Sequence, residues 1–261
     1  MRKRNTKRQR RIVLFIRCSI FVIAFCMLFL WIVKKNVFQP PISSAKENTQ
    51  ESLPKSNIIS LQGISQDGIP TGCESVSTVV VLQHLGIDIT ANKFIDKFLP
   101  CEKFYKKEGM VYGADPDEAF AGDPYETASL GCYPNVICKA LNKMKKSDYP
   151  GMNNLTFKNV SGTDLEALVT QYTANQIPVI IWVTINMKPS YEGMQYCLED
   201  GSLYTWTAPE HCVVLCGYDD DSYYIMDPLE NGKTVAYPKT LVEQRYHELG
   251  KYALVISSDS L

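Results

Sequence analysis

The chain has 261 residues, a formal net charge of −1 and 45% hydrophobic residues, a composition ordinary for a folded protein and a length that allows one sizeable domain with appendages or two small domains. The neutral total conceals a split: residues 1–35 hold ten Lys and Arg and no acid, while the remainder sets 17 cations against 28 acids. An acidic domain repels a phosphate backbone, which argues against nucleic-acid binding.

Residues 1–11 are a basic tail. Ile12–Val33 is apolar apart from Arg17, Ser19 and two cysteines, and its 22 residues would span about one hydrocarbon core as a helix, ~30 Å. Seven cations precede it and only Lys34 and Lys35 follow closely. The positive-inside bias therefore puts the N-terminus in the cytoplasm and everything beyond the span outside the cell membrane. Arg17, near the cytoplasmic end, can snorkel. The run is longer than a signal-peptide core and no A-x-A site follows, so it reads as an uncleaved signal anchor rather than a cleaved signal peptide. Residues 34–56 are polar, hold Pro and Ser and lack periodicity, which predicts a flexible stalk. The folded domain is assigned to residues 57–261.

Thr71–Leu85 reads as a helix, with Val76, Val79, Val80, Leu82 and Leu85 on an apolar side and Gly86 closing it. Thr71 and Glu74 have capping-box spacing, which predicts Thr71 as N-cap and Cys73 as the second helical residue. Further helices are predicted at Ala91–Phe98, at Tyr133–Lys145 with Pro134 in the first turn, and at Thr163–Asn175, where Thr163 and Glu166 repeat the box spacing. Asp115–Tyr125, "DPDEAFAGDPY", reads as a loop; Asp115, Asp117 and Asp123 do not have EF-hand spacing and read as a solvated turn. Pro178–Ile185 is a β-branched apolar strand, and His211–Tyr218 is another. Asp219–Ser222 is a polar turn, Tyr223–Asp227 the hairpin partner, and Tyr252–Ser257 a last strand. Helices first and antiparallel strands later predict an α+β fold with segregated halves.

Two of nine cysteines, Cys18 and Cys26, fall in the apolar span. Cys212 and Cys216 share one strand face, too far apart to bridge each other, and read as core. Cys101, Cys132, Cys138 and Cys197 are open to bridging, with the pairing undetermined. No C-x-x-C pair or zinc-knuckle spacing occurs, so no metal or cofactor is expected.

Cys73 stands apart. Unpaired N–H groups and the dipole at a helix start favour the thiolate that a cysteine nucleophile needs, and Gly72 would leave room for a substrate backbone. Such a nucleophile wants a histidine with an orienting partner. His84 lies at the far end of the same helix, ~16 Å away, and His247 reads as surface. His211 opens a strand. A hairpin centred near Asp220 sets Asp227 opposite Val213, hence diagonal to His211 on one face and within side-chain reach. Gln66, on the loop entering the helix, could join the Cys73 N–H as an oxyanion donor; Gln62 is further off.

The segments "SQDGIPTGCESVSTVVVLQHLGIDIT", "ADPDEAFAGDPYETASLGCYPNVICKAL" and "HCVVLCGYDDDSYYIMDPL" resemble the C39-like cysteine peptidases, a papain-like group that includes many bacterial surface proteins. The resemblance covers most of residues 57–257. It implies a papain-like fold, nucleophile Cys73, base His211, orienting Asp227, oxyanion-hole Gln66 and a peptide or protein substrate. It also implies that the loop Tyr112–Tyr125 borders the cleft. Departures exist: Glu74 follows Cys73 where peptidase domains of bacteriocin exporters carry Cys-Gly, the Gln–Cys gap is wider, and a single span stands in place of a transporter. These point to the stand-alone, membrane-anchored type. The expected reaction is hydrolysis through a Cys-His-Asp triad and an acyl-enzyme. An amine or thiol acceptor would instead make an acyltransferase or transpeptidase, and the fold without turnover would be a surface binding module.

Overall fold

The structure, a computed structural model, describes residues 54–258. The basic tail, the signal anchor predicted at 12–33 and most of the predicted stalk lie outside the described residues. Among the described residues no helix is long and apolar enough to cross a membrane.

In chain order, β1 (Asn57–Ile58) leads to α1 (Cys73–His84) and α2 (Ala91–Phe98). Every residue of α1 from Cys73 to Leu82 is buried. Its β-branched run is a weak helix former; enclosure on all sides holds it, and its polar residues are satisfied inside, with Ser77 Oγ donating to the Cys212 carbonyl at 2.9 Å and Thr78 Oγ1 to the Glu74 carbonyl at 2.6 Å. In α2, by contrast, Ala91, Phe94, Ile95 and Phe98 form one buried stripe, and Thr90 is a true N-cap, accepting from the Lys93 N–H at 3.2 Å.

Next come β2 (Cys101–Glu102), β3 (Tyr105–Lys107), β4 (Met110–Tyr112), β5 (Phe120–Ala121), α3 (Pro134–Lys146) and β6 (Leu155–Asn159). Pro134 starts α3, where a missing N–H costs nothing, and three lysines in its last turn complement the dipole. Then follow α4 (Leu165–Gln171), β7 (Val179–Thr184), β8 (Tyr191–Cys197), β9 (Leu203–Ala208), β10 (Glu210–Tyr218), β11 (Ser222–Asp227), β12 (Lys233–Pro238), α5 (Lys239–Glu248) and β13 (Ala253–Ser258).

The main sheet has the order β12-β11-β10-β7-β13-β6, with β1 added to the end of β10; all its pairings are antiparallel. Strand alternation divides it cleanly. Ile180, Trp182, Cys212, Val214 and Cys216 pack with α1, α2 and α3. Val179, Ile181, Val183, Val213 and Leu215 pack with α4 and α5. Both faces are covered, which is why "VIIWVT" and "HCVVLC" read as continuous apolar runs. The mixed helix-and-antiparallel-sheet architecture is α+β, but the segregation is less complete than expected, because α4 and α5 return to cover the second face. A smaller sheet, β3-β4-β8-β9, stands beside the main one in sequence order and carries the β8–β9 hairpin.

Two predicted caps are corrected. Gly72 occupies the N-cap of α1 with no side-chain bond; the Thr71 hydroxyl instead donates to the carbonyls of Asp123, Pro124 and Glu126. Asp164, not Thr163, is at the N-cap of α4. Gly72 does not serve a substrate either: a Cβ there would lie 2.3 Å from Ile69 Cγ2, so its space belongs to the chain itself. All seven cysteines of the described residues are free thiols.

In the β10–β11 hairpin Val214 faces Met226 and Leu215 faces Ile225, but beyond a bulge Gly217 faces Tyr224. Cys216 is the extra residue.

Candidate active site

The register near the open end of this hairpin is the one the sequence predicts, and it brings His211 and Asp227 together. His211 Nε2 lies 2.6 Å from Asp227 Oδ1, both side chains being buried. Burial pushes the Asp227 carboxyl up, but the hydrogen bond and charge of His211 and the N–H groups of Leu229 and Glu230 together outweigh it, and the group ends below the usual carboxylate range. Leu229 N–H donates to Asp227 Oδ1 at 2.8 Å, so Asp227 also caps the turn that follows. An ionised carboxylate only accepts, so Nε2 donates to Asp227 and Nδ1 is the ring nitrogen left outside that bond. His84 and His247 are exposed and away from this pair.

Cys73 is the first residue of α1 and is 5% exposed. It shares a cleft of about 420 Å³ with Gln66, Glu210 and His211. The cleft walls come from the loop before α1, from Ser129 and Leu130, and from the β8–β9 hairpin through Tyr191, Gly193, Met194, Trp206 and Ala208. The loop Tyr112–Tyr125 is absent from this lining, contrary to expectation. It acts one step back, its Asp123 and Pro124 carbonyls holding the Thr71 hydroxyl.

The electrostatics at Cys73 differ from the sequence expectation. Its thiol donates to Glu74 Oε2 at 3.4 Å. Burial, then the charges of Glu74, Glu210 and Cys212, push the thiol well above its ordinary pKa, and the Cys212 backbone amide opposes this only in part. The helix start is outweighed and Cys73 rests as a neutral thiol. Glu74, fully buried, accepts from the Cys132 N–H at 2.6 Å; burial raises its carboxyl to about 7 despite the backbone N–H groups of Glu74 and Cys132. Glu210 is raised too, by burial and by Glu74. This acidic pair was not foreseen: the spacing that marks a capping box assigned Glu74 to the helix start, and Glu210 drew no attention beside His211. Gly131 lets the pair approach, since a Cβ there would stand 2.5 Å from Glu74 Oε1 and 3.1 Å from Glu210 Oε2.

Gln66 lies in the cleft wall with Cys73. Its Nε2 donates to the Pro70 carbonyl at 3.2 Å and, at 3.4 Å, to that of Ile69, while its buried Oε1 has no partner.

Comparison with known proteins shows the family of the chain. The profile of the Peptidase_C39 like family matches residues 58–254. An uncharacterised protein of Bacillus subtilis (strain 168), YvpB, is 29% identical over 233 residues, covering 87% of each chain. A crystal structure from Bacillus anthracis, provisionally described as a C39-like peptidase, superposes with a TM-score of 0.65 at 26% identity, covering 78% of this chain and 98% of that one.

Proposed function

The chain belongs to the C39-like peptidase family, and on that premise we propose that it is a cysteine peptidase hydrolysing peptide bonds in a peptide or protein through Cys73, His211 and Asp227. The observation that carries the proposal is the buried His211–Asp227 pair opening onto the same cleft as a helix-start cysteine.

Because the resting thiol is neutral and turned to Glu74, attack requires it to swing toward His211. Nδ1 takes the proton as sulfur bonds to the carbonyl carbon, and the imidazolium then protonates the leaving amine. Asp227 holds the ring and stabilises its positive charge. The oxyanion would be met by the Cys73 N–H and by Gln66, whose Nε2 turns from the Pro70 carbonyl toward the cleft, a contact worth ~3–4 kcal/mol in comparable sites. Water on the acyl-enzyme completes the cycle. Tyr191, Met194 and Leu229, exposed and apolar on the cleft lining, offer a surface for apolar side chains of an extended substrate.

Peptide-library cleavage by the wild type and Cys73→Ala tests the proposal. Products with new carboxyl ends, absent with the variant, support it. Products joined to an added amine would make the chain an acyltransferase or transpeptidase, and no turnover would leave a binding module. The same reading sets the domain outside the cell on the single-span anchor at 12–33, on the strength of the sequence. Protease accessibility on intact cells, with carbonate extraction of membranes, checks it: the domain should be cleaved from outside and stay in the pellet.

A further inference from the structure

The acidic pair beside Cys73 is unused by the hydrolytic cycle. Cys73 Sγ, an oxygen of Glu74 and an oxygen of Glu210 lie within 4.8 Å of one another, and all three residues are buried. A tetrahedral zinc ion with sulfur at ~2.3 Å and a carboxylate oxygen at ~2.0 Å holds those two ligand atoms ~3.5 Å apart. The Cys73 Sγ to Glu74 Oε2 separation is 3.4 Å, so one edge of the coordination polyhedron already has the right length. The third residue has an unused donor: Glu210 is only 9% exposed, and its buried Oε1 has no hydrogen-bond partner among the described residues. Cys73 and Glu210 both line the cleft, which supplies an entry path, and among the described residues no Lys or Arg lines it.

We propose that Cys73, Glu74 and Glu210 bind a thiophilic divalent cation of the zinc class, with water completing the shell, and that the ion silences the nucleophile. The sulfur lone pair that bonds to the metal is the one that would attack a carbonyl; the thiol proton, with the protons held by the Glu74 and Glu210 carboxyls, is released to solvent as the metal bonds form. The silencing rests on the hydrolytic reading above; the binding does not. The chain spacing hides such a site because Glu210 comes from β10 and the other two ligands from α1.

Cadmium titration of the purified full-length chain tests it, read as the ultraviolet thiolate-to-cadmium charge-transfer band in the difference between wild type and Cys73→Ser. The expected result is one Cys73-dependent ion per chain, displaced by zinc. Glu210→Gln should weaken binding at least tenfold, and His211→Ala should leave it within twofold. Circular dichroism confirms folding of each variant. If Glu210→Gln does not fold, Glu210→Asp, which draws the oxygen back by one methylene, takes its place with the same expected loss. No Cys73-dependent band, or wild-type affinity in the Glu210 variant, overturns the proposal. So does loss of binding in His211→Ala alone, which would move the ion to a Cys-His pair. A chain that binds cadmium but cleaves no peptide keeps this site and loses the hydrolytic reading; the reverse result does the opposite.

Discussion

The two halves of the site are prepared in opposite ways. On the hairpin, His211 and Asp227 are already joined at 2.6 Å, and the carboxylate lies below its usual range. At the start of α1, the Cys73 thiol is pushed away from ionisation by burial and by two carboxyls. A strand pair in fixed register can present a finished base, because its geometry is set by backbone pairing. A helix start offers only a modest electrostatic gain, typically below ~1 kcal/mol, and desolvation beside acids overrides it. The base is built in advance, and the nucleophile has to be released.

Five measurements probe this contrast. Cys73→Ala should reduce peptide hydrolysis to background, a loss of ~10⁴-fold or more, measured by mass spectrometry of products; retained cleavage would remove the nucleophile half altogether. Asp227→Asn should lower the hydrolysis rate ~10²–10⁴-fold by releasing the imidazole from its tautomer.

The same variant tests the hairpin as a structural pair. The folded pKa of Asp227 is depressed, so its contribution to stability is present above the unfolded value of ~3.9 and disappears as pH falls through the lower folded value. Asp227→Asn should therefore be roughly 1–2 kcal/mol less stable near neutrality, and the melting difference should close below about pH 4. A gap that persists in acid would deny the charged pair.

Gly131→Ala should destabilise by ~1–3 kcal/mol in denaturant titration, since the added methyl meets both carboxyls. The smallest effect is kinetic. Iodoacetamide should alkylate wild-type Cys73 at a rate that keeps rising past pH 9, reflecting its raised pKa, and Glu210→Gln should speed this several-fold at pH 8 by removing one like charge. A plateau near neutrality would show a preformed thiolate and erase the contrast.

Much of the hairpin was legible in the sequence. The polar turn at Asp219–Ser222 marks the hairpin, but the tip pairing of Gly217 with Tyr224 would by itself set Asp227 opposite Val214; the bulge at Cys216, which the sequence does not announce, restores the register that puts Asp227 beside His211. The helix of α1 was also readable from its apolar side at Val76, Val79, Val80 and Leu82, but its start was not: the spacing of Thr71 and Glu74 suggests Thr71 as N-cap, and the helix begins at Cys73 behind Gly72. Nor were the partners of Thr71 and Glu74. Local spacing favours a reciprocal cap, but residues more than fifty positions away win: the Asp123 and Pro124 carbonyls accept from the Thr71 hydroxyl, and the Cys132 N–H donates to Glu74. The β8–β9 hairpin was missed for a related reason: "YEGMQYC" has a glycine and exposed polar residues, and becomes a strand by pairing with Leu203–Ala208. The cleft wall it forms is a tertiary product.

The bulge at Cys216 uncouples the tip of the hairpin from the site. It lies between the tip of the hairpin and the end that carries His211 and Asp227. A residue gained or lost at the exposed tip can be taken up there by adding or removing one bulge position, without turning Asp227 to the wrong face. A one-residue change of length at the tip therefore need not disturb the alignment of His211 with Asp227.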